Sequence, residues 1–109
     1  MALTRKEKKA IEIFKARLAE RLPGEKIGLL LFGSKARGDD RRGSDIDLMV
    51  LMKSDARDAV HEVYETVTET QLKTDVCMSL RPVSRRRFAA WKRKRTPFIC
   101  NVVKDGVLV

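Results

Sequence analysis

One stretch, residues 31–50, constrains this chain more than any other: Leu-Phe-Gly-Ser-Lys-Ala-Arg-Gly-Asp-Asp-Arg-Arg-Gly-Ser-Asp-Ile-Asp-Leu-Met-Val. An apolar run from Ile27 to Phe32 stops at Gly33-Ser34. A polar stretch containing Gly38 and Gly43 follows, and the chain turns apolar again after Asp45-Ile46-Asp47. The order reads as strand, tight turn, loop, strand. Side chains alternate along a strand, so Asp45 and Asp47 project from one face. Asp is depleted in strands, and two like charges on one face need a reason. A cation between them supplies it, and oxygen-only ligands suit Mg²⁺ or Mn²⁺. Gly33-Ser34 offers unhindered backbone N–H groups and a hydroxyl, which is what a phosphate needs at a turn. Metal-holding carboxylates opposite a phosphate cradle imply phosphoryl or nucleotidyl transfer. The plainer alternative is a hairpin with a polar loop and a half-exposed second strand.

Gly33-Ser34, the ten-residue spacer from Lys35 to Ser44, and then Asp45-Ile46-Asp47 resemble the active-site signature of the polymerase-β-like nucleotidyltransferases. The spacer and the short chain are most similar to the minimal nucleotidyltransferases (MNT), which pair with HEPN partners in toxin–antitoxin modules. The closing segment from Thr96 to Val109 resembles the end of those proteins. The resemblance implies a polymerase-β palm-like fold. It also implies transfer of a nucleoside monophosphate, AMP from ATP, to a hydroxyl, with pyrophosphate leaving. Asp45, Asp47 and Asp75 would be the catalytic carboxylates and the ligands of Mg²⁺ or Mn²⁺. Asp75 stands where the superfamily carries its third acidic residue, beside the attacking oxygen. Gly33 and Ser34 would hold the β- and γ-phosphates. Lys35 and Arg37 lie close enough in sequence to reach phosphate, or else face water. The acceptor implied is a tyrosine hydroxyl on a HEPN-type toxin. Two other readings stand beside it: a non-catalytic antitoxin that neutralises its partner by contact, and a transferase acting on a small molecule.

Along the chain, Thr4 to Leu22 reads as a helix. Thr4 and Glu7 fit a capping box, Ile11, Phe14, Leu18 and Leu22 fall on one stripe, and Pro23-Gly24 ends it. Lys26 to Phe32 is the first strand, Gly33 to Arg37 one helical turn, Gly38 to Ser44 a loop, and Asp45 to Met52 the second strand. Ser54 to about Leu72 reads as a helix capped by Ser54, with Ala56, Val60, Val63, Tyr64 and Val67 on one face. His61, the lone histidine, is expected in solvent. Thr74 to Leu80 is expected to be a third strand, with Asp75, Cys77 and Ser79 on one face. Ser84 to Arg95 is a helix holding Phe88 and Trp91 and no acidic residue. Its basic cluster suits triphosphate, nucleic acid, a protein partner or plain solvent. Thr96-Pro97 starts a last helix with Phe98, Ile99, Val102 and Val103 on a stripe, ended by Gly106. Val107 to Val109 is a terminal strand.

The expected architecture is a single α/β domain spanning residues 1–109, with a small mixed sheet and helices packed on one side. The length leaves no room for a second lobe to grip an acceptor, so a partner is expected to share that task. Twenty-four basic against 15 acidic residues give a net charge of +9, which favours anionic partners or simple solubility. Cys77 and Cys100 are too few for a disulfide framework and read as small core residues in a reducing cytoplasm. Neither a signal peptide nor a membrane-spanning run is visible, so a cytoplasmic location without membrane contact is expected.

Overall fold

The computed structural model describes residues 2–38 and 45–109. Of the expected loop from Gly38 to Ser44, residues 39–44, with the turn at Gly43, lie outside the described residues. Helix α1 (Arg5–Arg21) leads through a 3₁₀ turn (Pro23–Glu25) into strand β1 (Gly28–Phe32) and a one-turn helix α2 (Ser34–Arg37). Strand β2 (Ile46–Met52), helix α3 (Arg57–Thr74), strand β3 (Met78–Ser84), helices α4 (Arg85–Lys94) and α5 (Pro97–Asp105), and strand β4 (Val107–Leu108) complete the order.

The sheet is mixed, in the order β3-β2-β1-β4. β1 runs antiparallel to β2, Phe32 opposite Asp47 and Leu30 opposite Met49. β2 and β3 are parallel, Asp47 beside Ser79 and Met49 beside Arg81. That parallel pair needs a crossover, and α3 provides it. β4 pairs antiparallel with β1 at the sheet edge.

Alternation along β2 divides the core in two. Ile46, Leu48, Val50 and Met52 point to one side, against Phe14 and Leu18 of α1 and Val63 and Val67 of α3. Fully burying a side chain the size of Phe14 or Leu18 contributes roughly 1.5–3 kcal/mol, so this layer anchors the fold. Met49 points to the other side, into a smaller cluster with Phe32, Val83, Phe88, Ile99 and Val102. Helices therefore lie on both faces: α1 and α3 on the expected side, α4 and α5 over part of the opposite one. The apolar stripes of α4 and α5 need a surface to cover, and the Met49 side offers it.

Local chemistry explains most element boundaries. The capping box at α1 forms as expected, with Glu7 N donating to Thr4 Oγ1 at 3.1 Å and Thr4 N to Glu7 Oε1 at 2.9 Å. Ser84 caps α4 and Thr96 caps α5 through the N–H groups of Arg87 and Ile99. Three expectations fail. Ser54 does not cap α3; its N–H and hydroxyl bond to the Glu25 carboxylate at 3.1 and 3.0 Å, and α3 starts at Arg57, after an uncapped Ala56. The buried face of α3 is Ala59, Val63, Thr66, Val67 and Thr70, while Ala56 and Tyr64 are exposed. Thr66 and Thr70 bury because each hydroxyl donates to the carbonyl four residues back, at 2.7 and 2.8 Å. Both cysteines are exposed rather than in the core: Cys77 precedes β3, and Cys100 sits on the outer side of α5. His61 is exposed as expected, paired with Glu65 at 3.0 Å.

Candidate active site

Asp45 stands immediately before β2, and Asp47 is its second residue. Alternation turns Asp47 to the side of Met49 and Leu51, near the turn that joins β1 to α2. There Gly33 adopts φ 77° and ψ −157°, a conformation essentially reserved for glycine. A Cβ at Gly33 would meet Asp47 Oδ2 at 2.5 Å. The glycine of the motif thus does more than free an N–H group: it leaves the space into which the Asp47 carboxylate fits. α2 begins at the next residue, and the first N–H groups of a helix have no acceptor within it, which suits a phosphate.

Burial, and secondarily the charge of Asp45, push the Asp47 carboxyl above its ordinary value, while Arg81 and Arg37 draw it partly back. The two arginines do not fully offset the burial of this carboxylate and the like charge of its neighbour. Its donor set is all oxygen. Mg²⁺ is held by one or two carboxylates together with substrate phosphates, so this pair fits such an ion. Among the described residues no group of three or more His, Cys, Asp or Glu could hold a metal.

Asp75 is not brought to this pair. It is no part of a strand: it forms the C-cap of α3 in the left-handed conformation, φ 58°, and β3 begins three residues later at Met78. Its side chain is 99% exposed and lies 4.0 Å from Lys6 of α1. The residue beside Asp47 on β3 is Ser79, and Arg81 follows on the same face. Lys35 also turns away from the carboxylates. It is buried, and its Nζ lies 2.8 Å from Glu7 Oε2. Burial opposes ionisation of Glu7, but the hydrogen bonds from Lys35 and from Thr4 N–H outweigh it and hold the carboxyl below its ordinary value. Arg37 stays near the site, 3.9 Å from Asp105 and close enough to act on Asp47.

Sequence reasoning missed Arg81. It faces the same side of the sheet as Asp47, and its guanidinium lies 4.9 Å from the Phe98 ring centroid. Its spacing after Cys77 and Ser79 carried the signal, but only with β3 placed four residues later. The basic cluster of α4 divides. Arg86, Arg87 and Arg93 border a cavity with Lys53 and Ser54, at the far end of β2. Six residues of extended strand separate Asp47 from Lys53, about 20 Å. These arginines do not share a triphosphate with Asp47. Lys94 lies on the side of Arg81, Trp91 and Phe98.

A family model described as nucleotidyltransferase domain matches residues 11–105. A chain in a crystal structure of a toxin–antitoxin with AMP-PNP is 23% identical, with a TM-score of 0.54 over 87% of this chain and 68% of that one. A chain from Sulfolobus solfataricus described as a nucleotidyltransferase is 20% identical, with a TM-score of 0.47 over 99% of this chain and 89% of that one. No curated protein matches significantly. No helix among the described residues is long and apolar enough to cross a membrane. With its four-stranded mixed sheet, its crossover helix and a family match over most of its length, the chain belongs to the nucleotidyltransferase domain family.

Proposed function

We propose that this protein transfers AMP from ATP to a hydroxyl of a HEPN-type toxin, and so acts as the antitoxin of the pair. The observation that carries the reading is the seating of Asp47 against Gly33, with Asp45 beside it. That proximity supports reading the carboxylates and the glycine turn as one site. Asp45 and Asp47 would hold Mg²⁺ or Mn²⁺, which when bound offsets the charge of the transferring phosphoryl group. Gly33 and Ser34 would cradle the β- and γ-phosphates, and Arg37 would add positive charge beside them. Lys35 would support the turn from behind through Glu7. The toxin–antitoxin neighbour with AMP-PNP supports both the nucleotide and the kind of partner. The basic end of α4, remote from the carboxylates, suits docking of an anionic partner surface or nucleic acid. A cytoplasmic setting fits exposed cysteines that stay unpaired.

A second reading has its own support. Ser79 stands beside Asp47 on β3, and Asp75 points elsewhere. A site that gathers two carboxylates, not three, among the described residues suits an antitoxin that binds nucleotide and partner without transfer.

One experiment separates the two. The protein is incubated with Mg²⁺, labelled ATP and the product of the neighbouring reading frame, and the neighbour's mass is measured. Addition of AMP, lost in Asp47→Asn, supports transfer. A tight complex with no mass change, formed equally by Asp47→Asn, supports neutralisation by contact.

A further inference from the structure

We propose that the cavity between β3, α4 and α5 seats the base of the nucleotide; the inference rests on the nucleotide reading of the Asp45–Asp47 site and deepens it. The cavity holds about 340 Å³ and is lined by Arg81, Trp91, Lys94, Thr96, Phe98 and Ile99. That is within the range of small-molecule sites.

The cavity adjoins the carboxylates through a chain of contacts. Phe32 lies opposite Asp47 across the β1–β2 ladder. The Phe98 ring meets Phe32 edge-on, centroids 5.8 Å apart. Arg81 covers Phe98, and its charge also acts on Asp47. A nucleotide with its phosphates at the carboxylates therefore has an aromatic wall within reach of its other end.

The lining favours a flat aromatic ligand. Phe98 is 40% exposed although it is large and apolar, and Trp91 is half-buried beside it. Bases stack on aromatic rings and on guanidinium planes, whatever their identity. Arg81 and Lys94 add positive charge that suits a polyphosphate. The Thr96 hydroxyl accepts from Ile99 N at 3.3 Å as the cap of α5, and the Arg81 guanidinium is engaged on the Phe98 ring, which leaves stacking as the main contact. Stacking area then sets preference. Adenine and guanine nucleotides should bind within a few-fold of each other, and both more tightly than cytosine nucleotides.

Trp91 is the single tryptophan, so the wild-type protein carries its own probe. Its emission is followed during titration, in Mg²⁺, with AMP-PNP and separately with inorganic tripolyphosphate. The expected result is saturable quenching by AMP-PNP, with competition but no quenching by tripolyphosphate. Phe98→Ala should weaken AMP-PNP about tenfold, as loss of one stacking partner does, and leave tripolyphosphate unaffected. If calorimetry shows tripolyphosphate displacing AMP-PNP while Trp91 emission never changes, the base lies elsewhere: the proposal is overturned and the nucleotide reading survives. If neither ligand binds, the nucleotide reading fails and the base site with it. Quenching by a partner-derived tyrosine peptide but not by AMP-PNP would assign the cavity to the acceptor and overturn the proposal.

Discussion

Lys35 Nζ lies 2.8 Å from Glu7 Oε2, and this ion pair ties the turn after β1 to the first turn of α1. The same Glu7 carboxylate accepts the Thr4 N–H, and Ala2 N donates to the Lys35 carbonyl at 2.9 Å. The amino-terminal segment thus braces the proposed phosphate turn. Glu7→Gln should destabilise the fold by about 2 kcal/mol, the range for a hydrogen bond to a charged group. The pH dependence has a definite sign. The Glu7 carboxyl is held below its ordinary 4.5, so its contribution is present above that value and is lost as pH falls through the lower, folded-state value. Acid unfolding followed by circular dichroism should begin at higher pH in Glu7→Gln than in wild type.

Gly33→Ala should damage the site more than its size suggests. The substitution places a side chain at φ 77° and brings its Cβ to 2.5 Å from Asp47 Oδ2. Backbone strain alone costs about 1–3 kcal/mol, and the carboxylate must move as well. A lower melting temperature together with loss of Mg²⁺-dependent nucleotide binding is expected. An unchanged melting temperature would show that the turn has another conformation.

Asp75→Asn should leave nucleotide binding unaltered and stability within about 0.5 kcal/mol, because an exposed pair contributes little. A loss of Mg²⁺-dependent binding equal to that of Asp47→Asn would restore Asp75 to the metal site.

Arg86→Glu with Arg93→Glu should leave AMP-PNP binding unchanged, since both residues border the cavity at the far end of β2. Binding to an anionic partner or nucleic acid should weaken, with a shallower salt dependence. Salt titrations of wild type and the double variant decide the matter.

Much of this was legible in the sequence because local chemistry set it. Thr4, Glu7, Ser84, Thr96 and Pro97 mark helix starts through hydrogen bonds made within a few residues, and the alternation of β2 follows from its apolar pattern. What was not legible depended on partners far along the chain. Ser54 looks like a helix cap until Glu25, 29 positions earlier, takes its hydroxyl. Asp75 looks like part of a strand that starts at Thr74, yet α3 continues to Thr74 and makes Asp75 a cap, which delays β3 and puts Ser79 beside Asp47. Lys35 looks like a phosphate ligand, or a side chain facing water, on a single helical turn. Its burial against Glu7 depends on α1 packing over the turn, which no local pattern encodes.

The central claim is that Asp45 and Asp47 hold a metal together with a nucleotide, and calorimetry of AMP-PNP binding tests it most directly. Wild type and Asp47→Asn are titrated with and without Mg²⁺, from neutral pH downward through the raised Asp47 value. Burial and Asp45 raise the Asp47 carboxyl, so its protonated form stabilises the metal-free fold, and that stability declines as pH rises through the raised value. Metal-free Asp47→Asn should therefore be at least as stable as wild type at neutral pH. Wild-type binding should require Mg²⁺ and strengthen with pH as Asp47 ionises, and Asp47→Asn should abolish the Mg²⁺ requirement along with most of the affinity. Equal, Mg²⁺-dependent binding by wild type and Asp47→Asn would contradict the account.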